Sequence, residues 1–571
     1  MASVLALLKR HQELKATWAQ HADLAQEIAE YVIPHRASIT REPVPGEKQT
    51  VKVFDSTAID SAQTLAASIH GTMTPSTQPW LSLALRQEEL NDLPDVKDWL
   101  EDCARRLHAA LRQSNWTTAA HELYLDLVGP SAMGCLFVEE QDPPASGGFG
   151  GFRFATQAPG SYVVAENAHG RIDTVFREIR LSARAIVQRW GLDKAGEKIR
   201  DAVQTKPDQP FTVLHAVYPR TDDWRAGARA SRRDWPVRSC YCIIETRHML
   251  EEGGYEEFPF LCPRWAKSAG EVYGRGPSHT AFPDIKTLNT VKEFVLKAAP
   301  LAMVPPTIEQ DDSVVGEPDL RPGGRNVVST QGNRPLSETF GFMQTGLKVD
   351  LSQIILTDLR QSIRRIYFAD QLELQEGPQM TATEVQVRYE LMQRLLGPTL
   401  GRLESEFLNP LVERCFGLMA RARAFLSVPE ALLAQGQDLP DLDVQYEGPL
   451  ARAQRTVELT AQDRVFTFVA ALSQALVASG APPAVATAVW DTLKLDKWIR
   501  DRAEITGVRS DSLTSDEELT VIRQAREAAA QQAQQMQQAR EIAETAGKAA
   551  PMVRELHAAG ADMQGMNGGG R

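Results

Sequence analysis

Residues 283–299, PDIKTLNTVKEFVLKAA, and residues 347–368, LKVDLSQIILTDLRQSIRRIYF, decide the fold of this chain. Apolar residues recur in both stretches at intervals of three and four, which predicts two helices with one apolar stripe each. At about 1.5 Å per residue, each helix is roughly 30 Å long. The stripes consist of Ile285, Leu288, Val291, Val295 and Ala298 in the first helix, and of Leu351, Ile354, Ile355, Leu359, Ile363 and Ile366 in the second.

The segment between these helices, residues 301–345, is short and irregular. The first helix is expected to end at Pro300, because proline has no amide hydrogen to donate. Beyond it, strand-like runs such as Asn326-Val-Val alternate with turn residues, among them Gly316, Pro318, Pro322, Gly323 and Gly324. The simplest arrangement is an antiparallel helix pair with a compact knob at its far end.

The chain before this helix pair mixes helices and strands. Helical periodicity covers residues 3–33 and 94–128, and Phe54 to Thr72 reads as a helix capped by Asp55 or Ser56. Residues 1–280 therefore form an α+β region. Short runs bounded by Gly and Pro predict its strands at 135–138, 152–155, 162–164, 211–218, 237–247 and 258–262, with a helix at 182–191.

The chain after the helix pair is predominantly helical. A capping box, Thr381-Ala-Thr-Glu384, begins a long helix that runs towards Phe425, with a kink expected at Gly397-Pro398. Residues 515–547 are rich in Ala and Gln and form a helix with little apolar stripe, which needs neighbours for stability. The tail from Gly565 is expected to be flexible.

Composition indicates an ordinary globular protein of several domains. Of its 571 residues, 43% are hydrophobic and 24% are charged. The net charge of −12 argues against a protein that grips nucleic acid with its whole surface, but not against one that lets DNA slide past. Six scattered cysteines predict a reduced, intracellular protein with free thiols rather than a disulfide scaffold. The sequence contains no run of 18 apolar residues, so we expect no membrane span.

Sequence signatures of catalysis are missing, and the partial matches fail. There is no phosphate-binding GxxxxGK[ST] motif. Gly129-Pro-Ser131-Ala-Met-Gly134 has one residue too many for a nucleophile elbow, and the second His of a zinc-protease helix does not follow His121-Glu122. Cys240 and Cys242 share a strand face, but no further Cys or His pair follows at zinc spacing. We expect no enzyme activity, no catalytic residues, no metal and no cofactor.

A series of short motifs resembles the head-to-tail connector, or portal, family of podovirus-type bacteriophages. Each motif is weak alone, but their order and spacing extend over some 370 residues. The motifs are Tyr31-Val-Ile-Pro34-His35-Arg36, Val53-Phe-Asp55-Ser56-Thr57-Ala58, Leu65-Ala-Ala-Ser68, Met73-Thr-Pro75-Ser-Thr-Gln-Pro-Trp80, Tyr273-Gly-Arg-Gly276-Pro277, Phe282-Pro283-Asp284-Ile285-Lys286-Thr287-Leu288-Asn289, Arg321-Pro322-Gly323-Gly324, Met380-Thr381-Ala382-Thr383-Glu384-Val385, Leu396-Gly397-Pro398 and Gly401-Arg-Leu-Glu404-Ser-Glu406.

The resemblance implies a mainly helical α+β portal fold that forms a ring, usually of twelve copies. Its parts map onto the chain in order. They are a wing at 1–280, stem helices at 281–299 and 347–369 around a clip at 300–346, a tunnel loop at 370–380, a long kinked helix that returns into the wing at 381–450, and crown or barrel helices with a flexible tail at 451–571.

The resemblance also places candidate residues on the DNA channel. In the stem these are Lys286, Lys297, Arg360 and Arg364, which lie on polar stripes. The alternative is that such charges form salt bridges between subunits of the ring, and we favour it.

The tunnel loop and the clip carry the remaining candidates. Glu373 and Glu376 would repel phosphate, and Gly377 would permit movement. Gln371, Leu372 and Leu374 complete the loop, with Leu372 and Leu374 positioned to pack against DNA or against neighbouring loops. An ordinary connector between helices is the alternative. The clip is expected to dock a packaging motor and then a tail adaptor, through Asp319, Arg321 and Arg325.

The function implied is a homo-oligomeric channel at one capsid vertex for packaging and ejection of double-stranded DNA. The implied partners are the packaging motor (terminase), the tail adaptor, and the major capsid and scaffold proteins, with assembly in the host cytoplasm and no membrane. A virion protein that forms no ring, or one that binds the scaffold, is the alternative, and a DNA-processing enzyme is less favoured.

Overall fold

The computed structural model describes most of the chain. The described residues are 3–75, 79–141, 148–220, 234–310, 317–328, 340–342, 349–372, 396–433, 442–446, 449–479, 482, 488–490, 495–506, 514, 518–533 and 535–540, except 43, 45, 92 and 318. They fall into two compact units, Met1–Ala453 and Gln454–Arg571.

Five helices and one strand open the first unit. Helix α1 is amphipathic, and its apolar residues Leu7, Leu14, Trp18, Ile28 and Val32 are buried at helical spacing, as predicted. It ends just before Pro34, because the residue before a proline is disfavoured in the helical region. The elements are α1 Val4–Val32, α2 Thr57–Met73, β1 Leu81–Leu85, α3 Glu88–Asn91, α4 Pro94–Gln113 and α5 Trp116–Val128.

Strands dominate residues 136–275. An antiparallel five-stranded sheet has the order β4-β5-β6-β7-β8, and a three-stranded sheet has the order β3-β2-β9. The elements are β2 Leu136–Glu140, β3 Phe152–Thr156, β4 Tyr162–Glu166, β5 Ile172–Ser182, α6 Ala183–Trp190, α7 Glu197–Thr205, β6 Pro210–Pro219, β7 Val237–Ile243, β8 His248–Tyr255, β9 Phe260–Leu261, β10 Ala266–Lys267 and β11 Gly274–Arg275.

The two decisive stretches form the predicted helices, α8 Pro277–Met303 and α9 Val349–Ile366. They are antiparallel. Ser278 at the start of α8 shares a hydrogen bond of 2.7 Å with Tyr367 beyond the end of α9, and the Ser362 hydroxyl donates to Asp284 at 2.7 Å. Between them lies a small sheet (the distal sheet) of β12 Thr307–Gln310, β13 Arg325–Val328 and β14 Phe340–Phe342, with β12 in the centre.

The chain then returns to the first unit. After the short helix α10, Ala369–Leu372, residues 396–403 form helix α11, which continues as a π-helical stretch, Glu404–Leu408, into α12, Asn409–Arg421. Helix α13, Glu430–Leu433, precedes strand β15, Leu442–Tyr446, which pairs antiparallel with β1. The capping box at Thr381 lies outside the described residues.

The second unit is helical where it is described. Helix α14, Pro449–Ala478, runs into it and is followed by α15, Leu495–Thr506. The Phe466 ring stacks on Trp498 with 5.1 Å between centroids, and Arg502 forms an ion pair with Asp463. The Ala- and Gln-rich stretch is helical at 518–533 and 535–540, and almost all of its described side chains are exposed, as its lack of an apolar stripe predicts.

Several sequence expectations need correction. Helix α8 begins at Pro277 and passes through Pro300 to Met303, rather than covering 281–299. Pro300 lies in the last turn, where its missing amide removes only one hydrogen bond. The strand expected at 237–247 is the hairpin of β7 and β8, which turns at residues 244–247. Strand β5 and helix α7 were not predicted, because β5 has no clean alternation of apolar residues.

A buried ion cluster joins the strands to the π-helical stretch. The Arg264 side chain is 1% exposed and donates through Nη2 to Glu406 at 2.8 Å, and its Nη1 pairs with Glu166. It also donates to the carbonyl oxygens of Gly170 and Val272. Burial acts to lower the pKa of Arg264, but both carboxylates outweigh burial and raise it, so the guanidinium stays charged.

Replacing Arg264 by Met should lower the free energy of unfolding by about 3–5 kcal/mol, because two half-buried carboxylates lose their common partner. The measurement is the urea midpoint of the full chain. The control is Arg153→Met, whose exposed side chain pairs with Glu139 at 3.4 Å, and which should cost about 0–1 kcal/mol. Equal losses in the two variants would contradict a special role for the buried cluster.

Candidate functional site

The helix pair of α8 and α9 is anchored to the body of the first unit at Asn289. This side chain is buried, and its Oδ1 accepts the backbone amides of Phe54 at 2.8 Å and of Asp55 at 3.0 Å. Its Nδ2 donates to the carbonyl oxygen of Ile285 within α8. One amide side chain therefore connects α8 to the segment that leads into α2.

Asp55 connects the same segment to α9. Arg360 donates to its Oδ2 through Nε at 3.0 Å and through Nη2 at 2.6 Å. The other oxygen accepts from the amide and the hydroxyl of Thr57, at 3.1 and 2.5 Å. Burial acts to raise the pKa of Asp55, but the hydrogen bonds from Arg360 and Thr57 outweigh burial and hold this pKa below its ordinary value.

The contacts of Asp55 with Asn289 and Arg360 are called the joint below. A polar cleft of about 420 Å³ opens beside Asp55 and Arg360. Two guanidinium groups, those of Arg360 and Arg364, line it together with the start of α2. The lining residues are Asp55, Ser56, Thr57, Thr357, Arg360, Gln361 and Arg364. The cleft presents positive charge partly offset by one carboxylate.

The helix pair leaves large apolar side chains exposed. On α8 the Phe294 side chain is 63% exposed, and on α9 the Ile354 side chain is 66% exposed. Leu296, Met303 and Ile355 are exposed as well. The inner stripe, by contrast, is buried where the helices meet the core, at Ile285, Leu288, Leu356 and Ile363. Each helix therefore carries, beside its buried stripe, exposed apolar side chains that the described part of this chain leaves open to solvent.

The four candidate channel cations lie on or beside this helix pair, close to carboxylates of the same chain. Lys286 lies 3.4 Å from Glu27 of α1, and Lys297 lies 2.6 Å from Glu293 one turn before it. Arg360 is engaged by Asp55, and Arg364 lines the cleft that Asp55 also lines.

The candidate loop residues are only partly described. Gln371 and Leu372 belong to the short helix α10 rather than to a loop. Glu373, Leu374, Glu376 and Gly377 lie outside the described residues.

The candidate docking residues lie on the distal sheet and the turn before β13. Arg321 donates two parallel hydrogen bonds of 2.9 Å to the carboxylate of Asp319. These bonds lower the pKa of Asp319 to about 2. Arg325 on β13 pairs with Glu309 on β12. Asn326 donates to the carbonyl oxygen of Asp319 at 3.0 Å. Asp319–Arg321 and Glu309–Arg325 are thus two separate ion pairs, and both arginine side chains are exposed.

The motifs that suggested chemistry have structural roles. The buried Ser131 hydroxyl donates to the carbonyl oxygen of Met133 at 2.7 Å, so it is no exposed nucleophile. Cys240 and Cys242 are buried free thiols on β7. Within the described ranges, no group of three His, Cys, Asp or Glu side chains is placed to hold a metal. None of the helices described is long and apolar enough to cross a bilayer.

The joint residues Asp55 and Asn289 were not among the predicted site residues. The sequence predicts Asp55 as a possible helix cap, and gives Asn289 no role beyond its motif. Both occur in stretches that resemble the connector family, and that coincidence was the available signal.

A helix pair that is fixed to an α+β body and exposes apolar side chains defines a structural assembly subunit. The chain belongs to the family of bacteriophage head to tail connecting proteins, whose family model matches residues 5–513. The predicted family and the predicted connector function are thereby confirmed.

Two curated relatives span nearly the whole chain. The probable portal protein of Bordetella phage BPP-1 is 30% identical over 541 residues, which cover 91% of this chain and 90% of that protein. The portal protein of Salmonella phage epsilon15 is 26% identical over 539 residues, which cover 92% and 91%. A chain in the virion of a native gene transfer agent particle aligns with a TM-score of 0.34 at 11% identity, covering 80% of this chain and 99% of that chain.

Replacing Asp55 by Asn should cost about 1–3 kcal/mol of unfolding free energy at pH 7, because Arg360 loses its charged acceptor. The pKa of Asp55 is lowered by folding, so its contribution is present above the unfolded value near pH 4 and is lost as the pH falls through the lower folded pKa. The gap in stability between the two proteins should therefore begin to narrow as the pH falls below about 4, and should close only below the folded pKa of Asp55. Urea midpoints between pH 3 and pH 7 measure this.

The matched control is Asp60→Asn, which removes an exposed carboxylate of α2 and should shift the midpoint little at any pH. A gap between Asp55→Asn and the natural protein that is unchanged from pH 7 to pH 3 would show that the ion pair is not its cause.

Proposed function

We propose that this connector assembles into a ring of about twelve copies, the portal at one capsid vertex through which double-stranded DNA enters and leaves. The observation that carries the proposal is the set of large apolar side chains that α8 and α9 expose to solvent. Exposed aromatic and aliphatic side chains on a projecting helix pair are costly in water and mark a protein interface. Family membership makes another copy of the same chain the natural occupant.

Head-to-tail packing of the helix pairs would close into a ring. Phe294 lies on α8 and Ile354 on α9, so the two helices offer different surfaces. A surface on one copy that packs against a different surface on the next generates a ring when the rotation closes. The exposed apolar side chains would then be buried between neighbouring helix pairs, which would line a central channel.

The charges of the helix pair suit a channel that does not hold DNA tightly. Affinity for DNA comes mainly from lysines and arginines that replace counterions on phosphates. Here Lys286, Lys297 and Arg360 face Glu27, Glu293 and Asp55 of the same chain, which partly neutralise them. The whole chain is acidic as well. DNA would therefore pass without being trapped.

The parts of the ring follow the proposed division of the chain. The helix pair is the stem, the distal sheet is the core of the clip, and the α+β region is the wing. We assign the tunnel loop to residues 370–380, of which 370–372 belong to helix α10, and the crown or barrel to the helices after residue 450. Asp319, Arg321 and Arg325 of the clip would dock the packaging motor during filling and the tail adaptor afterwards.

The portal itself would be a non-catalytic part of the virion. ATP hydrolysis would belong to the motor, since the sequence has no phosphate-binding motif. Assembly would occur in the host cytoplasm together with the major capsid and scaffold proteins.

Ring formation should depend on the exposed apolar surface. The natural chain should appear in negative-stain images and native mass spectra as hollow rings of about twelve copies. The double variant Phe294→Ser with Ile354→Ser should give monomers with an unchanged circular dichroism spectrum, because both side chains contact water in the isolated subunit.

The control for this loss is Leu192→Ser, which removes an exposed leucine of the α+β region and should leave rings intact. A natural chain that stays monomeric or dimeric at high concentration and varied salt would support a non-ring virion protein instead.

Removing the carboxylates that face the stem lysines should strengthen DNA binding. The double variant Glu27→Gln with Glu293→Gln frees Lys286 and Lys297, so affinity for a short duplex should rise several-fold at low salt. The slope of log affinity against log salt should steepen by about one for each additional phosphate that a subunit neutralises. Fluorescence anisotropy of a labelled duplex measures both quantities. Replacing exposed Glu47 and Asp60 by Gln and Asn changes the net charge equally, and a similar rise in affinity there would contradict the local explanation.

A further inference from the structure

Two buried cysteines lie opposite each other, at the start of strand β2 and at the end of strand β9. Cys135 directly precedes β2 and Cys262 directly follows β9. Their sulfur atoms are 3.6 Å apart, and both residues are free and buried. The two positions are 127 residues apart in sequence, so only the fold brings them together.

The register of the strands makes this pair suitable for a disulfide. Leu136 pairs with Leu261 and Phe137 with Phe260, and the same register sets Cys135 opposite Cys262. The Gly134 amide donates to the Pro263 carbonyl oxygen, and the Val138 amide donates to the Pro259 carbonyl oxygen. Hydrogen-bonded and non-hydrogen-bonded residue pairs alternate along an antiparallel ladder, so residues 134, 136 and 138 are in hydrogen-bonded pairs and residue 135 is not. The Cys135 carbonyl accepts from Gln157 on the other side.

Cys135 and Cys262 thus form a non-hydrogen-bonded pair. At such pairs the Cα atoms are about 4.5 Å apart, which lies inside the range that a disulfide spans. The other close spacing, Cys240 and Cys242, has both residues on one strand and lacks this cross-strand geometry.

The surroundings control how the thiols react. Met133, Phe137, Tyr162 and Tyr273 enclose them in one apolar cluster. Burial raises the pKa of the Cys135 thiol well above its ordinary value, so little thiolate is present at neutral pH. Reaction should therefore be slow, should quicken with rising pH, and should need a small uncharged oxidant.

We propose that Cys135 and Cys262 form a reversible cross-strand disulfide when the protein meets a small peroxide, and that they remain thiols under reducing conditions. The thiolate of one cysteine attacks a peroxide oxygen, which gives a sulfenic acid and releases water. The second thiol attacks that sulfur, the S–S bond forms, and the displaced hydroxide leaves as a second water. The two thiols lose two electrons, and one peroxide is reduced.

The disulfide would fix the segment that carries Arg264. Cys262 precedes Arg264 by two residues, and Arg264 holds Glu406 of the π-helical stretch. The cross-link would therefore tie β2 covalently to the strand end that anchors the returning helices. A virion component leaves the reducing interior of the cell. Oxidation outside the cell would convert the two unreactive thiols into a covalent cross-link.

The test treats the folded full chain with hydrogen peroxide at pH 7 and pH 9. Remaining thiols are alkylated in urea and peptides are mapped by mass spectrometry. We expect a linked peptide pair containing Cys135 and Cys262, lighter by two hydrogen atoms, and four alkylated cysteines. The link should form faster at pH 9, and dithiothreitol should remove it. The oxidised chain should melt a few degrees higher than the reduced one.

The variants Cys135→Ser and Cys262→Ser should each lose the link and the rise in melting temperature, whereas Cys103→Ser should keep both. If these variants fold poorly, the peptide map of the natural chain still decides the matter. The proposal is overturned if the folded chain yields no such peptide pair, if Cys135 or Cys262 is converted to sulfinic acid instead, or if the other four cysteines form links to the same extent.

Discussion

The contact between Asn289, Asp55 and Arg360 is the constraint on which the placement of the helix pair depends. Helices α8 and α9 contribute one side chain each, and both bind the short segment before α2. The backbone amides of Phe54 and Asp55 need acceptors once they are buried, and the Asn289 carbonyl provides one for both. The Asp55 carboxylate in turn needs a cation, which Arg360 provides. A single polar joint therefore sets the direction in which the helix pair leaves the body.

The Arg264 cluster fixes the position of the returning chain, because it holds Glu406 of the π-helical stretch. A buried guanidinium with two carboxylate partners is strongly directional, because leaving any of the three groups unpaired costs several kcal/mol. The π-helical stretch inserts an extra residue per turn, and Glu406 lies within it and reaches Arg264. The joint and the cluster are each built from groups more than 90 residues apart in sequence. The apolar residues Phe294 and Ile354 take no part in either contact and stay exposed.

Charge pairing within the subunit also limits what the surface can do to DNA. Lys286, Lys297 and Arg360 of the helix pair have carboxylate partners within the chain, which offset their charge. In the proposed channel, unpaired lysines would bind phosphate and hold the duplex in place. The distal sheet follows the same rule, since Asp319 and Arg321 form an ion pair within the chain.

Local patterns in the sequence were enough to predict the helix pair, to identify the family and to locate the segment that forms the distal sheet. Apolar periodicity and short motifs are properties of neighbouring residues, so they can be recognised without the tertiary structure. They determined α1 and α9 to within a few residues, and among the strands β2, β3, β4 and β6. The tertiary structure decided which side chains meet: that Asp55 binds Arg360 rather than capping α2 alone, that Lys286 faces Glu27, and that Cys135 lies opposite Cys262. It also decided that α8 continues through Pro300 and that residues 237–255 form a hairpin. These outcomes depend on contacts between residues far apart in sequence, whose energies no local pattern records.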